Sequence, residues 1–156
     1  MKERSAGAIV IGGGPSGMAA ASSCREEGIE EVLLVEREGA LGGILSQCIH
    51  PGFGVLELKE DLTGPEYAGR LEGRVHDLGV QVLLDSYTNS LRYEGGRGIS
   101  IGCISPRGVE VLRAQCLIYS AGCRERHAFE VGIVGDRPSG VLTAGTAQSL
   151  MDLHGL

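Results

Sequence analysis

The chain has 156 residues, 42% of them apolar, with no Trp, two Phe, four Tyr and a net charge of −6. These bounds suit one domain of ordinary size with a real core, and they argue against nucleic acid, an anionic membrane surface or base stacking as the main business. The 26 glycines follow no triplet repeat, so a collagen-like chain is excluded.

No apolar run approaches the roughly 18 residues of a membrane span, and the N-terminal Met1-Lys2-Glu3-Arg4-Ser5 leads straight towards a strand without a cleavage-site pattern. The cysteines are Cys24, Cys48, Cys103, Cys116 and Cys123, an odd set with no C-x-x-C spacing. That usage fits a reducing cytoplasm and offers no zinc site. No metal site is expected.

In chain order, residues 6–11 read as a buried strand, small and β-branched with no charge. The turn Gly12-Gly13-Gly14-Pro15-Ser16-Gly17 follows. Gly12 permits the tight bend, Gly14 lets backbone approach a pyrophosphate, and Gly17 lets a helix lie against the strand. The helix is expected from Pro15 to Glu27, with Pro15 tolerated in its first turn, Arg25 favoured in its last and Gly28 as its C-cap. A second strand, Glu31 to Glu36, ends in an acid 19 residues beyond Gly17, near the ~20-residue spacing of a ribose-binding carboxylate. Glu36 could accept from both ribose hydroxyls and repel a 2′-phosphate. Arg37 weakens that exclusion.

Residues 37–64 are loop-rich, with Gly39, Gly42, Gly43, Gly52 and Gly54 separating Ser46, Gln47, Cys48 and His50. Ile44, Leu45, Ile49, Phe53 and Val55 argue against disorder, so a binding loop over a ligand is expected. Thr63 then caps a helix with Pro65 and Glu66 in its first turn. Ala68, Leu71, Val75 and Leu78 form one apolar face, and Gly79 ends the helix. Val80 to Asp85 is a third strand. Tyr87–Tyr93, Gly98–Ser105 and Val109–Arg113 are short strands joined by tight turns at Glu94-Gly95-Gly96 and Pro106-Arg107-Gly108. They predict a β-meander over 86–113, standing where a crossover helix would otherwise run. Gln115 to Ser120 returns as a separate buried strand ending at Ala121-Gly122. Val131–Gly135 and Gly140–Gly145 read as extended runs, and Thr146–Leu153 as a helix capped by Gly155.

The glycine turn with Glu36, the Leu41-Gly42-Gly43-Ile44-Leu45-Ser46-Gln47-Cys48-Ile49-His50 stretch, Leu62-Thr63-Gly64-Pro65-Glu66-Tyr67-Ala68, the meander and Arg137-Pro138-Ser139-Gly140-Val141-Leu142-Thr143-Ala144-Gly145-Thr146-Ala147-Gln148 together resemble the FAD-binding part of the pyridine nucleotide-disulfide oxidoreductase superfamily. The branch is similar to amine, opine and proline dehydrogenase flavin subunits. The resemblance implies an α/β, Rossmann-like FAD-binding domain over 1–145, with a mainly parallel sheet and a β-meander. Residues 146–156 would open a linker helix towards an NAD(P)H domain not in this chain. It implies that Gly12, Gly14, Pro15, Ser16 and Gly17 meet the FAD pyrophosphate, that Glu36 and Arg37 lie at the adenosine ribose, and that Gly42 and Gly43 run along the flavin side. Ala121-Gly122 matches the family's strand end, and Arg126 stands where many members place a basic residue.

The chain also departs from the family pattern. Only Cys48 stands where disulfide reductases carry a cysteine pair, so dithiol chemistry is not implied. The second G-x-G-x-x-G is absent, and the late Gly-Asp motif has no sure match.

Several side chains keep two readings. Cys48 is a packed thiol or a group beside the isoalloxazine, and His50 a structural histidine or a proton relay. His76, His127 and His154 read as incidental. Arg124 and Arg126 either offset phosphate or flavin charge or line a solvated loop. Cys24, Cys103 and Cys116 read as core residues, and Cys123 is undecided. The expected function is to bind FAD and position it for hydride transfer in an NAD(P)H-linked oxidoreductase, with Cys48 and His50 as candidate catalytic groups. The chain would be a fragment completed by its missing domain, or a subunit completed by a partner, with a homo-oligomer possible. The alternatives are an NAD-binding Rossmann regulatory module and a non-catalytic subunit.

Overall fold

A computed structural model describes residues 2–156. Met1, counted in the expected N-terminal segment, lies outside the described residues. Strand β1 (Lys2–Ile11) leads into helix α1 (Pro15–Glu26) and strand β2 (Val32–Val35). A 3-10 helix, Gly43–Gln47, and a short antiparallel pair, β3 (Pro51–Phe53) with β4 (Leu62–Thr63), occupy the long loop. Helix α2 (Gly64–Asp77) and strand β5 (Gln81–Leu83) follow. Strands β6 (Tyr87–Tyr93), β7 (Ile99–Ser105) and β8 (Gly108–Tyr119) form the meander and its return. The tail holds a 3-10 helix, Ala128–Val131, and helix α3 (Ala144–Asp152).

The main sheet runs β5-β2-β1-β8-β7-β6. Its first four strands are parallel neighbours, and β8, β7 and β6 pair antiparallel. The fold is therefore a Rossmann-like α/β arrangement with a mostly parallel sheet. Alternation along each strand divides the core in two. Ala8, Val10, Val32 and Leu34 face Met18 and Ala21 of α1 and Ala68, Leu71 and Val75 of α2. Ile9, Leu33, Val35 and Leu83 point the other way, onto Ile101 and Cys103 of β7 and Leu112 of β8. Each such fully buried aliphatic side chain contributes about 1.5–3 kcal/mol relative to exposure. The meander thus covers the sheet face that a crossover helix would cover in a doubly wound fold.

Local chemistry explains the helix ends. Gly28 follows the α1 C-cap residue Glu27 at φ +90°, and Arg25 turns back onto the carbonyls of Leu78 and Ile29. Helix α2 starts with a capping box: Glu66 N–H donates to Thr63 Oγ1 at 3.4 Å, and Thr63 N–H donates to Glu66 Oε2 at 2.8 Å. Gly79, at φ +68°, ends it.

Four expectations need correction. The strand expected at 6–11 begins at Lys2, because Lys2–Ala6 pairs in parallel with Glu110–Ala114. The two strands expected at Val109–Arg113 and Gln115–Ser120 are one strand, β8. No glycine or proline interrupts Arg113-Ala114-Gln115, and β1 pairs along β8 from Glu110 to Tyr119; β7 begins opposite Ala114, so the last residues of β8 pair with β1 alone. The tail runs 131–135 and 140–145 are not strands, and α3 starts at Ala144, two residues earlier than expected, because Thr143 accepts from Thr146 N–H. Cys116 is exposed rather than a core residue, while Cys103 is buried. Among the described residues no helix is long and apolar enough to cross a membrane.

Candidate dinucleotide site

The site lies at the C-terminal edge of the parallel strands, where β1 turns into α1. A Cβ on Gly12 would fall inside the carbonyl of Ser120, and one on Gly17 inside the carbonyl of Gly12. Both are glycine because protein backbone already fills the space. Gly14 differs. Nothing lies within 4 Å of where its Cβ would be, and its φ of −74° suits any residue. Its missing side chain leaves an open cradle at the mouth of α1. That helix has Gly14 as N-cap with no side-chain cap, whereas α2 and α3 are capped by Thr63 and Thr143. Pro15 has no N–H, so the N–H groups of Ser16 and Gly17 are the first-turn donors offered there. Such a helix start receives phosphate through its donors and its positive end.

Glu36 directly follows β2 and is 7% exposed. Its Oε2 accepts from Gly13 N–H at 2.5 Å and its Oε1 from Glu38 N–H at 2.9 Å. Each carboxylate oxygen retains a second lone pair for a ribose hydroxyl. Arg37 is exposed and pairs with Glu38 at 3.0 Å. A cavity of about 280 Å³ extends from Gly12 and Glu36 to Ser86, Tyr87, Thr88 and Tyr119, with Ala121 on its wall. The sequence reading missed Ser86–Thr88 and Tyr119. The available signal was positional, since these residues stand just after β5 and at the end of β8, where open α/β sheets hold ligands.

The loop after β2 is pressed onto the glycine turn. Gly42 N–H donates to the Gly13 carbonyl at 2.9 Å, and a Cβ on Gly43 would stand 3.0 Å from Gly14 Cα. Gly42 and Gly43 sit at φ +120° and +55°, which favours glycine at both. Cys48 is half-buried. Its thiol donates to the Ile44 carbonyl at 3.3 Å, and its own carbonyl accepts from Gly64 N–H at 2.8 Å. His50 is exposed, with Nδ1 2.9 Å from the Pro51 carbonyl oxygen and its ring 5.3 Å from that of Phe53. Each of these two side chains is hydrogen-bonded to a backbone carbonyl, so no thiol–imidazole pair forms.

Beyond β8, Gly122 turns the chain at φ +74°. Arg126 is exposed on the loop that follows and does not line the cavity. Arg124 is spent on Glu130, at 2.7 Å. A second cleft, of about 340 Å³, opens between the Gly43–Gln47 helix and α3. Gln148 Nε2 donates across it to the Gln47 carbonyl at 2.9 Å. Glu125 caps α3: its carboxylate accepts from the Thr143 hydroxyl and from Gly145 N–H at 2.7 Å, which holds its pKa below the ordinary carboxylate value. Among the described residues, no cluster of three or more His, Cys, Asp or Glu is arranged for a metal.

Fold, uncapped helix and acid-terminated second strand define a dinucleotide-binding domain. A family model described as FAD dependent oxidoreductase matches residues 8–68. The chain is 31% identical over 124 residues to the hydrogen cyanide synthase subunit HcnB of Pseudomonas protegens, an alignment covering 76% of this chain and 24% of that protein. Among solved structures, L-proline dehydrogenase from P. horikoshii superposes with a TM-score of 0.76 at 15% identity, covering 97% of this chain and 29% of that one. T. acidophilum thioredoxin reductase superposes with a TM-score of 0.67 at 18% identity, covering 80% and 38%. Over β1, α1, β2 and the start of α2, the elements that build the candidate site, the chain is similar to FAD dependent oxidoreductases. It spans about a quarter of the curated relative's length.

Proposed function

We propose that the domain holds FAD along the C-terminal edge of the sheet, adenosine at Glu36, pyrophosphate at Gly14 and α1, and flavin towards Gly42–Gln47. The observation that carries this is the open cradle at Gly14 over an uncapped helix start. The residues fit the group. The N–H groups of Ser16 and Gly17 would hold phosphate oxygens, Glu36 would accept from the ribose hydroxyls, and Ser86–Thr88 would wall the adenine side. FAD supplies two-electron acceptance and release when bound. The protein binds it, orients it and keeps the glycine turn rigid behind it.

The whole protein would be an NAD(P)H-linked oxidoreductase without a dithiol, its nicotinamide site and substrate pocket supplied by further polypeptide or a partner subunit. The HcnB relative is itself named as a subunit. Residues 1–145 would be the FAD unit and 146–156 the way out of it. Cys48 and His50, each on a backbone carbonyl, would act singly on the flavin side. The free cysteines suit a reducing, cytoplasmic setting.

A fluorescence titration of the purified chain with FAD tests the reading. Quenching of flavin emission on binding, with NADH binding more weakly, is expected. A colourless chain that takes up no FAD, or that prefers NADH, overturns it.

A further inference from the structure

Gly13 is the residue on which both ends of the site converge. Its N–H, the only donor it has, goes to Glu36 at 2.5 Å, and its carbonyl accepts from Gly42 at 2.9 Å. Its α-carbon is enclosed as well. A Cβ there would stand 2.5 Å from Leu41 Cδ2 and 3.1 Å from Glu36 Cβ, and Leu41 belongs to the helix-side core. Gly13, Glu36, Leu41 and Gly42 are all buried. Hydrogen bonds are electrostatically stronger in such surroundings than in water. The path from the end of β2 through the turn to the loop is therefore contiguous, with two hydrogen bonds in series.

We propose that Glu36 is a positioning residue as well as a ribose acid: it fixes Gly13, and through Gly13 it sets the place of Gly42 and Gly43. The adenosine end and the flavin-side loop then behave as one unit. Only the ligand part of this inference rests on the FAD reading. The joint needs a carboxylate, because two backbone N–H groups must be accepted at once, one on each oxygen. A glutamine offers one oxygen and turns an NH₂ donor towards the other N–H. Leu41 backs the joint from the loop side, so its truncation should loosen the same bond from the opposite direction.

Amide hydrogen exchange of the full chain, read by NMR without ligand, tests the joint. In Glu36→Gln, the Gly13 and Gly42 amides should exchange about tenfold faster, while the β1–β2 pair Val10 and Leu34 keeps wild-type protection. Leu41→Ala should speed exchange at Gly13, and Leu41→Met should restore it. Faster exchange at Gly13 with Gly42 unchanged overturns the proposal, as does general loosening that includes Val10 and Leu34. The ligand arm uses AMP, which carries the ribose hydroxyls and no flavin. AMP should slow Gly42 exchange in the wild type and leave it unchanged in Glu36→Gln. Slowing confined to Gly13 counts against the coupling. Should neither AMP nor FAD bind the wild type, the FAD reading falls, and the ligand-free arm still decides the joint.

Discussion

Gly17 lies against Gly12 so closely that a methyl group on Gly17 would occupy the Gly12 carbonyl oxygen. Gly14, between them, has open space where its Cβ would be. One motif therefore contains two kinds of glycine, and they respond differently to substitution. Gly17→Ala should cost about 1–3 kcal/mol through overpacking, seen as a lower midpoint in thermal denaturation. Gly14→Ala should change stability by no more than about 0.5 kcal/mol and still weaken FAD binding about tenfold, because the methyl enters the cradle. Equal loss of stability in both variants would refute this division.

Thr63→Ala removes the hydroxyl that accepts from Glu66 N–H, while the backbone N–H at position 63 still donates to the Glu66 carboxylate. The expected cost is about 1 kcal/mol, within the usual range for an N-cap. Because α2 starts against Cys48 through Gly64 N–H, the same variant should raise the alkylation rate of Cys48. Denaturant titration and peptide-resolved labelling check the two effects.

Acid should act through surface carboxylates held in hydrogen bonds. Glu66, Glu94, Glu125 and Glu130 all have pKa values below their ordinary 4.5. The leading causes are the Thr63 N–H, the Ser100 hydroxyl, the Thr143 hydroxyl and the His127 N–H, in that order. A group whose folded pKa is depressed binds fewer protons folded than unfolded. Its stabilisation is full above the unfolded value and is lost as pH falls through the folded one. Stability should therefore be flat near neutrality and decline below about pH 4.5. Glu125→Gln should flatten part of that decline and speed proteolysis within 144–152, leaving the sheet intact. An unchanged acid limb in that variant would show that Glu125 does not hold α3.

Thiol reactivity should rank by environment. Cys116 and Cys123 are exposed, whereas Cys103 is buried and its thiol pKa is raised, chiefly by desolvation. Iodoacetamide should modify the first two quickly and Cys103 only on unfolding. Mass spectrometry of the alkylated peptides gives the order, and early modification of Cys103 would contradict the packing of the meander on the sheet.

Much of this fold could be read from the chain because its local signals agree with its tertiary structure. The glycine turn, the 3-4-3 apolar spacing of α2 and the short charge-free strands each point to one answer. The failures have a shared cause. Arg113 and Gln115 look like a connection inside β8, and only the pairing of Arg113 with Ser5 and Ser100 and of Cys116 with Ala8 shows that they are not. The tail runs resembled strands in composition, yet no strand pairs with them. At the site, the cradle at Gly14 was legible because it is local. The Glu36–Gly13–Gly42 path, Tyr119 on the cavity wall and the Gln47–Gln148 contact were not, since each joins residues far apart in the chain.

The continuity of β8 has a practical meaning for anyone altering this domain. The strand begins in the meander and ends at Tyr119, one residue before the Ser120 carbonyl that lies against Gly12, so it acts as a ruler between the meander and the candidate site. Residues added at the Glu94–Arg97 or Pro106-Arg107 turns would extend a loop and leave the ruler unchanged. One residue added inside β8 would exchange its two faces from that point onward and take the Ser120 carbonyl away from Gly12. Fusion partners, tags or reporter loops therefore belong at the meander turns.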